Sequence, residues 1–342
     1  MIVLRTPNGF SVRLHPRPLA VGTGCALLAL VVGVLSVGGG DYPIAPAEVL
    51  RTLAGGGTPA QDFIVLELRL PRLVTGLLVG AALALAGAVF QSLVRNPLGS
   101  PDMLGFTQGA AVGALLVVVA GGSTLALSAG ALAGGLATGG LVYLIAWRRG
   151  VEGQRLILVG IGTAAILTGV NGYLLTRAQL TDASRAMLWL TGSLDGRGWT
   201  HAVPLLAALA VLVPLVLLAF GPALRMIEMG DDAASALGIR VERVRLMLLA
   251  AAVLLVSLAC AAAGPVSFVA LTAPQLAKRL TRAPGPNLLP ALSMGAVLLV
   301  TADWAAQRLF TGHQLPVGVV TGAIGGAYLV WLLATSRRAV RL

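Results

Sequence analysis

Ten apolar segments follow one another along the chain, over about 18–37, 73–93, 104–121, 124–146, 156–176, 201–220, 246–263, 265–280, 288–306 and 316–335. Polar and charged residues gather in the short stretches between them. A helix needs about 20 residues to cross the hydrocarbon layer, and apolar runs of this length read as membrane spans. The third and eighth are short and interrupted by Gly or Pro. The longest intervening stretches are 38–72 and 221–245, so no soluble domain of any size remains. The pattern therefore predicts an all-α bundle over 18–336, between a basic tail 1–17 and a tail 337–342. The first segment has no small-residue cleavage site leading into a soluble domain, so a retained span is expected rather than a cleaved leader.

Composition sharpens this picture. Of 342 residues, 57% are hydrophobic and 11% charged, against about 25% charged in soluble domains. That excludes an ordinary soluble enzyme and a disordered chain alike. The 44 glycines suit helices that approach backbone to backbone in lipid. Cys25 and Cys260 lie far apart in apolar runs, without a CxxC spacing; they read as buried thiols, with no metal site.

The net charge is +11, and 23 of the 24 basic residues are Arg, Lys278 being the exception. Nothing around Lys278 has the form of a Walker A loop, so ATP hydrolysis by a P-loop of this chain is excluded. The cations sit between spans, which points to orientation in a membrane rather than to nucleic acid. With the N-terminus inside, 17 basic residues fall inside and 7 outside. Both termini are therefore expected in the cytoplasm.

Several segments do not look like lipid packing. Gly230-Asp-Asp-Ala-Ala-Ser-Ala-Leu-Gly238 reads as a short inside helix, capped by Asp231 or Asp232 and ended by Gly238 in the left-handed conformation. It is either a docking element for another protein or a solvated connector. Arg69 and Arg72, three residues apart, are interfacial anchors or an electropositive outer face that meets a carboxylate-bearing partner. Gln91 precedes a Pro-punctuated turn, Arg95-Asn-Pro-Leu-Gly-Ser-Pro101. Asp303 lies in or beside lipid five residues before Arg308, where an acid needs a partner or water; a structural pair at the outer boundary is expected. His15, His201 and His313 are isolated.

Taken in order, these blocks resemble the permease subunit of iron-siderophore and vitamin B12 ABC importers, the FecCD-type or type II importer family. The blocks are Leu68-Arg-Leu-Pro-Arg72, Gly80-Ala-Ala-Leu-Ala-Leu-Ala-Gly87, Gln91, Asn96-Pro-Leu-Gly-Ser-Pro101 and Leu104-Gly-Phe-Thr-Gln-Gly-Ala110. Leu158-Val-Gly160, Trp189-Leu-Thr-Gly-Ser193, Ala236-Leu-Gly238 and Gly264-Pro-Val-Ser-Phe268 follow. Pro274, Leu289-Pro290, Ala302-Asp303, Arg308 and Leu315-Pro-Val-Gly-Val-Val-Thr321 complete the series. The match runs from about residue 40 to 336.

The resemblance implies a ten-transmembrane-helix permease, both termini cytoplasmic, that pairs with a second permease subunit, homologous or identical. It also implies two cytoplasmic ABC ATPase subunits, which would hold Mg-ATP, and an extracytoplasmic siderophore-binding protein. No cofactor, catalytic residue or nucleic acid is implied for this chain. By position, Asp231, Asp232, Ala236, Leu237 and Gly238 would form the coupling helix against the ATPase. Arg69, Arg72 and Arg308 would meet acidic side chains of the binding protein. The fifth, eighth and tenth spans would line the path, with Gly160, Thr163, Asn171, Ser267, Thr272, Gln275, Thr321, Gly322 and Gly325 chosen as polar or small.

The family's usual Gly-Leu-x-x-Pro-His of the eighth span is here Ala270-Leu-Thr-Ala-Pro274-Gln275, so a role for that His does not transfer. The usual Gly-x-Pro-x-Phe of the tenth is Gly325-Gly-Ala-Tyr328. The Ala-Pro-Gln variant looks most like permeases for ferric enterobactin-type siderophores, with B12 or haem as alternatives. A proton-coupled carrier would need a path carboxylate, for which Asp303 is the sole deep candidate. An intramembrane enzyme would need a catalytic constellation inside the spans, and none is present there.

Overall fold

The computed structural model describes residues 2–5, 11–14, 16–40, 42–148, 150, 153–309 and 314–339. His15, His313, Arg149 and Arg341, and parts of both tails, lie outside the described residues. The N-terminal stretch contains a two-stranded antiparallel hairpin, β1 (Ile2–Arg5) and β2 (Ser11–Leu14). Among the described residues, everything after it is helix, turn or irregular connection.

Helix α1 (Pro16–Gly38) is followed, on the side that the charge distribution assigns as outer, by two short helices, α2 (Pro46–Leu53) and α3 (Pro59–Asp62). A π-helical stretch, Phe63–Arg69, joins α3 to α4 (Leu70–Val94), so one continuous rod runs over Pro59–Val94. A 3-10 turn, Pro101–Leu104, leads to α5 (Phe106–Val119) and α6 (Thr124–Ala146). Then come α7 (Gly153–Arg177) and an outer helix α8 (Leu180–Leu190) that the apolar pattern does not announce. Helix α9 (Trp199–Pro214) runs on through a π stretch, Leu215–Phe220, into α10 (Gly221–Ile227). The stub α11 (Asp231–Ala236) precedes α12 (Val241–Ala263), α13 (Val269–Thr281), α14 (Leu288–Ala306) and α15 (Val317–Ala339).

A helix overlies each of the ten apolar segments. Among the described residues, seven are long and apolar enough to cross a membrane, and Phe106–Val119 and Val317–Leu332 are shorter apolar helices. The eighth segment departs most from expectation. Residues 265–268 are not helical, and the 13 residues of α13 span only about 20 Å at the α-helical rise. Gly264 (φ 76°) and Phe268 (φ 68°) are left-handed, and Pro265 cannot donate to a helix, so α13 starts late and is a half-length element.

Helix α4 is the axle of the bundle. Residues 81 to 93 are buried without a break, because α9, α12, α13 and α14 all pack on it. Close approach rests on small residues. Gly80 of α4 and Gly295 of α14 each face the other's carbonyl, so a Cβ on either would strike backbone. Gly109 and Gly113 of α5 meet Gly130 and Gly134 of α6 in the same way, two small-xxx-small faces locked together. Large side chains fill the remaining core, with Phe90, Leu83, Leu85, Leu248, Leu255 and Leu299 fully buried. By contrast α7 exposes Leu158, Ile161 and Ile166, and α9 exposes Val203, Leu206 and Val211, faces suited to lipid or to another subunit.

Candidate functional site

The inner end of the bundle carries the stub α11. Its first residue follows Gly230 (φ 122°) and it ends at Gly238 (φ 84°), the left-handed stop that the sequence predicts. The predicted cap is corrected: Gly230 is the N-cap and no side chain caps the helix. The Asp231 carboxylate is used elsewhere. It accepts from Arg95 Nη2 at 3.1 Å and from Arg245 Nη2 at 2.8 Å. Arg245 also donates to Glu242 Oε1 at 2.6 Å, and its side chain is only 8% exposed. Arg95 is left-handed (φ 51°) just past the end of α4, which turns its side chain toward α11. One carboxylate thus ties the stub to α4 and to α12.

Ala234 is fully buried among Ile227, Val241 and neighbours, so the stub's inner face is packed. Its outer face is open. Asp232, Ala236 and Gly238 are exposed, and Leu237 is 62% exposed. The stub thus presents an exposed apolar side chain, Leu237, at its end and an exposed acid, Asp232, on its flank.

At the outer end the three predicted docking arginines are all engaged within the chain. Arg72 grips Asp303 bidentately, Nε to Oδ2 at 3.1 Å and Nη2 to Oδ1 at 2.9 Å. It reaches Gln314 Oε1 at 3.0 Å and Asp195 Oδ1 at 3.4 Å as well. Gln307 Nε2 adds a hydrogen bond to Asp303 Oδ2 at 2.8 Å. Arg72 is therefore a clasp, not a free outer cation, and the expected structural partner of Asp303 is Arg72 rather than nearby Arg308. Arg69 donates to the carbonyls of Val37 (2.7 Å) and Tyr42 (2.8 Å). Arg308 donates to the carbonyl of Leu35 at 3.2 Å and lies over the Trp304 ring at 4.7 Å, while staying exposed. Close by, burial pulls the Arg197 guanidinium below its ordinary value, against the opposing pull of Asp195.

The candidate path residues divide. Gly160 packs on Leu104, and Gly325 on the Phe268 ring, so tightly that a Cβ on either would collide. Both are packing positions rather than lining. Gln275 is also drawn inside: its Nε2 donates to Gln91 Oε1 at 2.6 Å, and Gln91 Nε2 donates to the Leu271 carbonyl at 3.1 Å. Gln91, seen in the sequence only as part of a motif, thus becomes the polar joint between α4 and α13. Thr163, Thr272 and Thr321 bond back to carbonyls of Val159, Phe268 and Gly318, which leaves their methyl groups for packing. Asn171 donates to the Gln108 carbonyl at 3.3 Å, but its Oδ1 has no partner. Ser267 is exposed, and a Cβ at Gly322 would meet open space. Ser267 and Gly322 are the members of the set that still face open space, while Asn171 keeps a buried Oδ1 without a partner among the described residues. Cys25 and Cys260 are buried free thiols.

These features define a multi-pass membrane protein built around one axle helix, with a tied helical stub at one end and an arginine clasp at the other. The chain belongs to the FecCD transport family, whose pattern matches residues 27–335. It is 44% identical over 318 residues to the ferric enterobactin transport system permease protein FepG of Escherichia coli (strain K12), covering 92% of this chain and 96% of that one. It is 39% identical to the achromobactin transport system permease protein CbrC of Dickeya dadantii, covering 91% and 90%. Among solved structures, an inward-facing metal-chelate type ABC transporter matches with a TM-score of 0.80 at 26% identity, covering 93% of this chain and 99% of that one. The protein is a multi-pass component of the bacterial inner membrane.

Proposed function

We propose that this chain is the permease subunit of an ATP-driven importer of ferric siderophores. The stub α11 carries the reading, because it is rigidly joined to two core helices yet offers an exposed apolar tip at Leu237. The similarity to the enterobactin and achromobactin permeases supports the cargo class. A bulky polar chelate cannot cross about 30 Å of hydrocarbon unaided. A path between two permease subunits, walled by weakly polar groups, would pass it without holding it.

In this reading two ATPase subunits bind beneath, and α11 carries their closure into α4 and α12 through Asp231. A binding protein docks outside, where Arg308 is exposed and Arg69 half-buried. Coupling is reciprocal, so docking outside must shift the ATPase equilibrium inside. Asp303, which a proton-coupled carrier would require, is instead gripped by Arg72 and Gln307.

The test is co-expression with the adjoining genes, purification by a tag, and ferric siderophore uptake in the same cells. A co-purifying ATPase and a second permease, with uptake that needs ATP, is the expected result. Uptake by the chain alone, driven by a proton gradient, would overturn the reading. Two substitutions separate docking from transmission. Leu237→Asp places a charge in the apolar contact and is expected to weaken ATPase retention about 30-fold, the size of a hot-spot loss. Asp231→Asn keeps the stub but loosens its two arginine ties. It is expected to retain the ATPase while lowering the chelate transported per ATP hydrolysed.

A further inference from the structure

Helices α1 and α13 lie side by side. Where α1 begins and α13 ends they leave a crevice of about 350 Å³, lined by Arg17, Ala20, Val21, Arg279, Leu280 and Arg282. Three arginines thus line a small space together with the apolar Ala20, Val21 and Leu280, and no acid is among its lining residues. Among the described residues no carboxylate pairs with any of the three; the nearby Glu228 faces Lys278 at 3.8 Å instead. Arg279 is held in place, its guanidinium 4.8 Å from the Trp331 ring and 5.9 Å from that of Tyr328. Arg282 is left-handed (φ 48°) at the end of α13, where its amide bonds to the Lys278 carbonyl at 3.0 Å.

Arg279 suits the negative end of α13, but Arg17 does not suit its own helix. It stands in the first turn of α1, which has no acidic residue there, beside the positive end of the helix dipole. An anion beside it would relieve that mismatch. The Glu228–Lys278 pair brings this end of α13 next to α10, which leads into the stub α11. The crevice therefore lies at the inner membrane boundary, given the orientation read from charge. Basic pockets between helices at that boundary take lipid headgroups.

We propose that this crevice binds the phosphate of an anionic phospholipid of the inner leaflet, with an acyl chain against Ala20, Val21 and Leu280. The apolar floor selects a lipid over free phosphate. This site is distinct from the stub and from any path for cargo, and it does not depend on which chelate is carried.

The test is native mass spectrometry of the full complex, purified in detergent with phosphatidylglycerol or phosphatidylcholine added. Wild type is expected to retain phosphatidylglycerol preferentially. Arg17→Gln and Arg282→Gln are each expected to lower that retention about fivefold, and together about 25-fold, as expected when each arginine near the membrane surface adds a similar increment. Arg17→Lys with Arg282→Lys is expected to keep most of it, which separates lost charge from lost folding. Arg148→Gln, an exposed cation at the same end, is expected to change nothing. Retention untouched by the paired Gln variant, or lowered equally by Arg148→Gln, would overturn the site. Displacement of phosphatidylglycerol by millimolar inorganic phosphate would make it a free-anion site and overturn the lipid assignment. Loss of the co-purifying ATPase with lipid retained would assign the arginines to a protein contact and also overturn it.

Discussion

Gly87→Val is expected to leave little folded protein. Helix α4 passes directly beneath α13 at Gly87, and a Cβ there would strike the Ala270 carbonyl oxygen, its carbon and its Cα. All three atoms are backbone, so no rotamer change makes room. The close approach has a chemical cause. Pro274 lacks the N–H that would otherwise bond the Ala270 carbonyl in a helix, so that carbonyl is turned onto the glycine face of α4. Overpacking a core costs about 1–3 kcal/mol when side chains can adjust; here the cost lies above that range. Against a net stability of about 5–15 kcal/mol, that is a large fraction. Fluorescence-detected size exclusion after a heating series would measure it. Gly87→Ala should already lower the midpoint, while Gly140→Ala, with open space at its Cβ, should not. A wild-type midpoint for Gly87→Val would show that α13 does not sit on α4 as described.

The second large effect falls on the clasp. Arg72→Ala strands the Asp303 carboxylate, whose side chain is 6% exposed, with only Gln307 to satisfy it. Breaking a buried ion pair from one side costs about 3–5 kcal/mol. Removing both charges is different: Arg72→Leu with Asp303→Leu should recover most of the loss, because no buried charge remains unpaired. A double-mutant cycle on thermal midpoints measures this directly. Equal destabilisation by single and double variants would remove the clasp as the source. Surface pairs are weaker. Charge reversal at exposed Arg308, which makes carbonyl hydrogen bonds and a ring contact but no ion pair among the described residues, should cost less stability than Arg72→Ala and, on the proposed reading, act on binding-protein docking.

What the sequence could disclose, and what it could not, separates by distance along the chain. Helix α6 is legible to the residue: Ser123 Oγ accepts from the Ala126 amide, and the apolar run stops at Trp147. The stop at Gly238 and the end of α12 at Gly264 are equally local. The late start of α13 is not, because it turns on Phe268 adopting a left-handed conformation that few non-glycine residues visit. Partners separated by long stretches are also hidden. Gln91 and Gln275 are 184 residues apart, and Arg72 and Asp303 are 231 apart. Periodicity reports that a position is polar within an apolar run; it does not report what meets it. That is why Gly160, Gln275 and Gly325, selected as small or polar, prove to be packed inside, and why Asp231 ties rather than caps.

The placement of α4 has a consequence for biogenesis. The ribosome delivers Gly80, Gly87 and Arg72 early, while the surfaces that cover them, on α12, α13 and α14, emerge some two hundred residues later. In that interval α4 must wait with its glycine face against lipid or an insertion chaperone, and Arg72 must wait at the headgroups for its carboxylate. A nascent chain released before α14 has an axle without the helix that faces Gly80 and an Arg72 without its carboxylate. The final third of the molecule therefore completes the burial of its second span, the helix that the finished protein keeps most hidden.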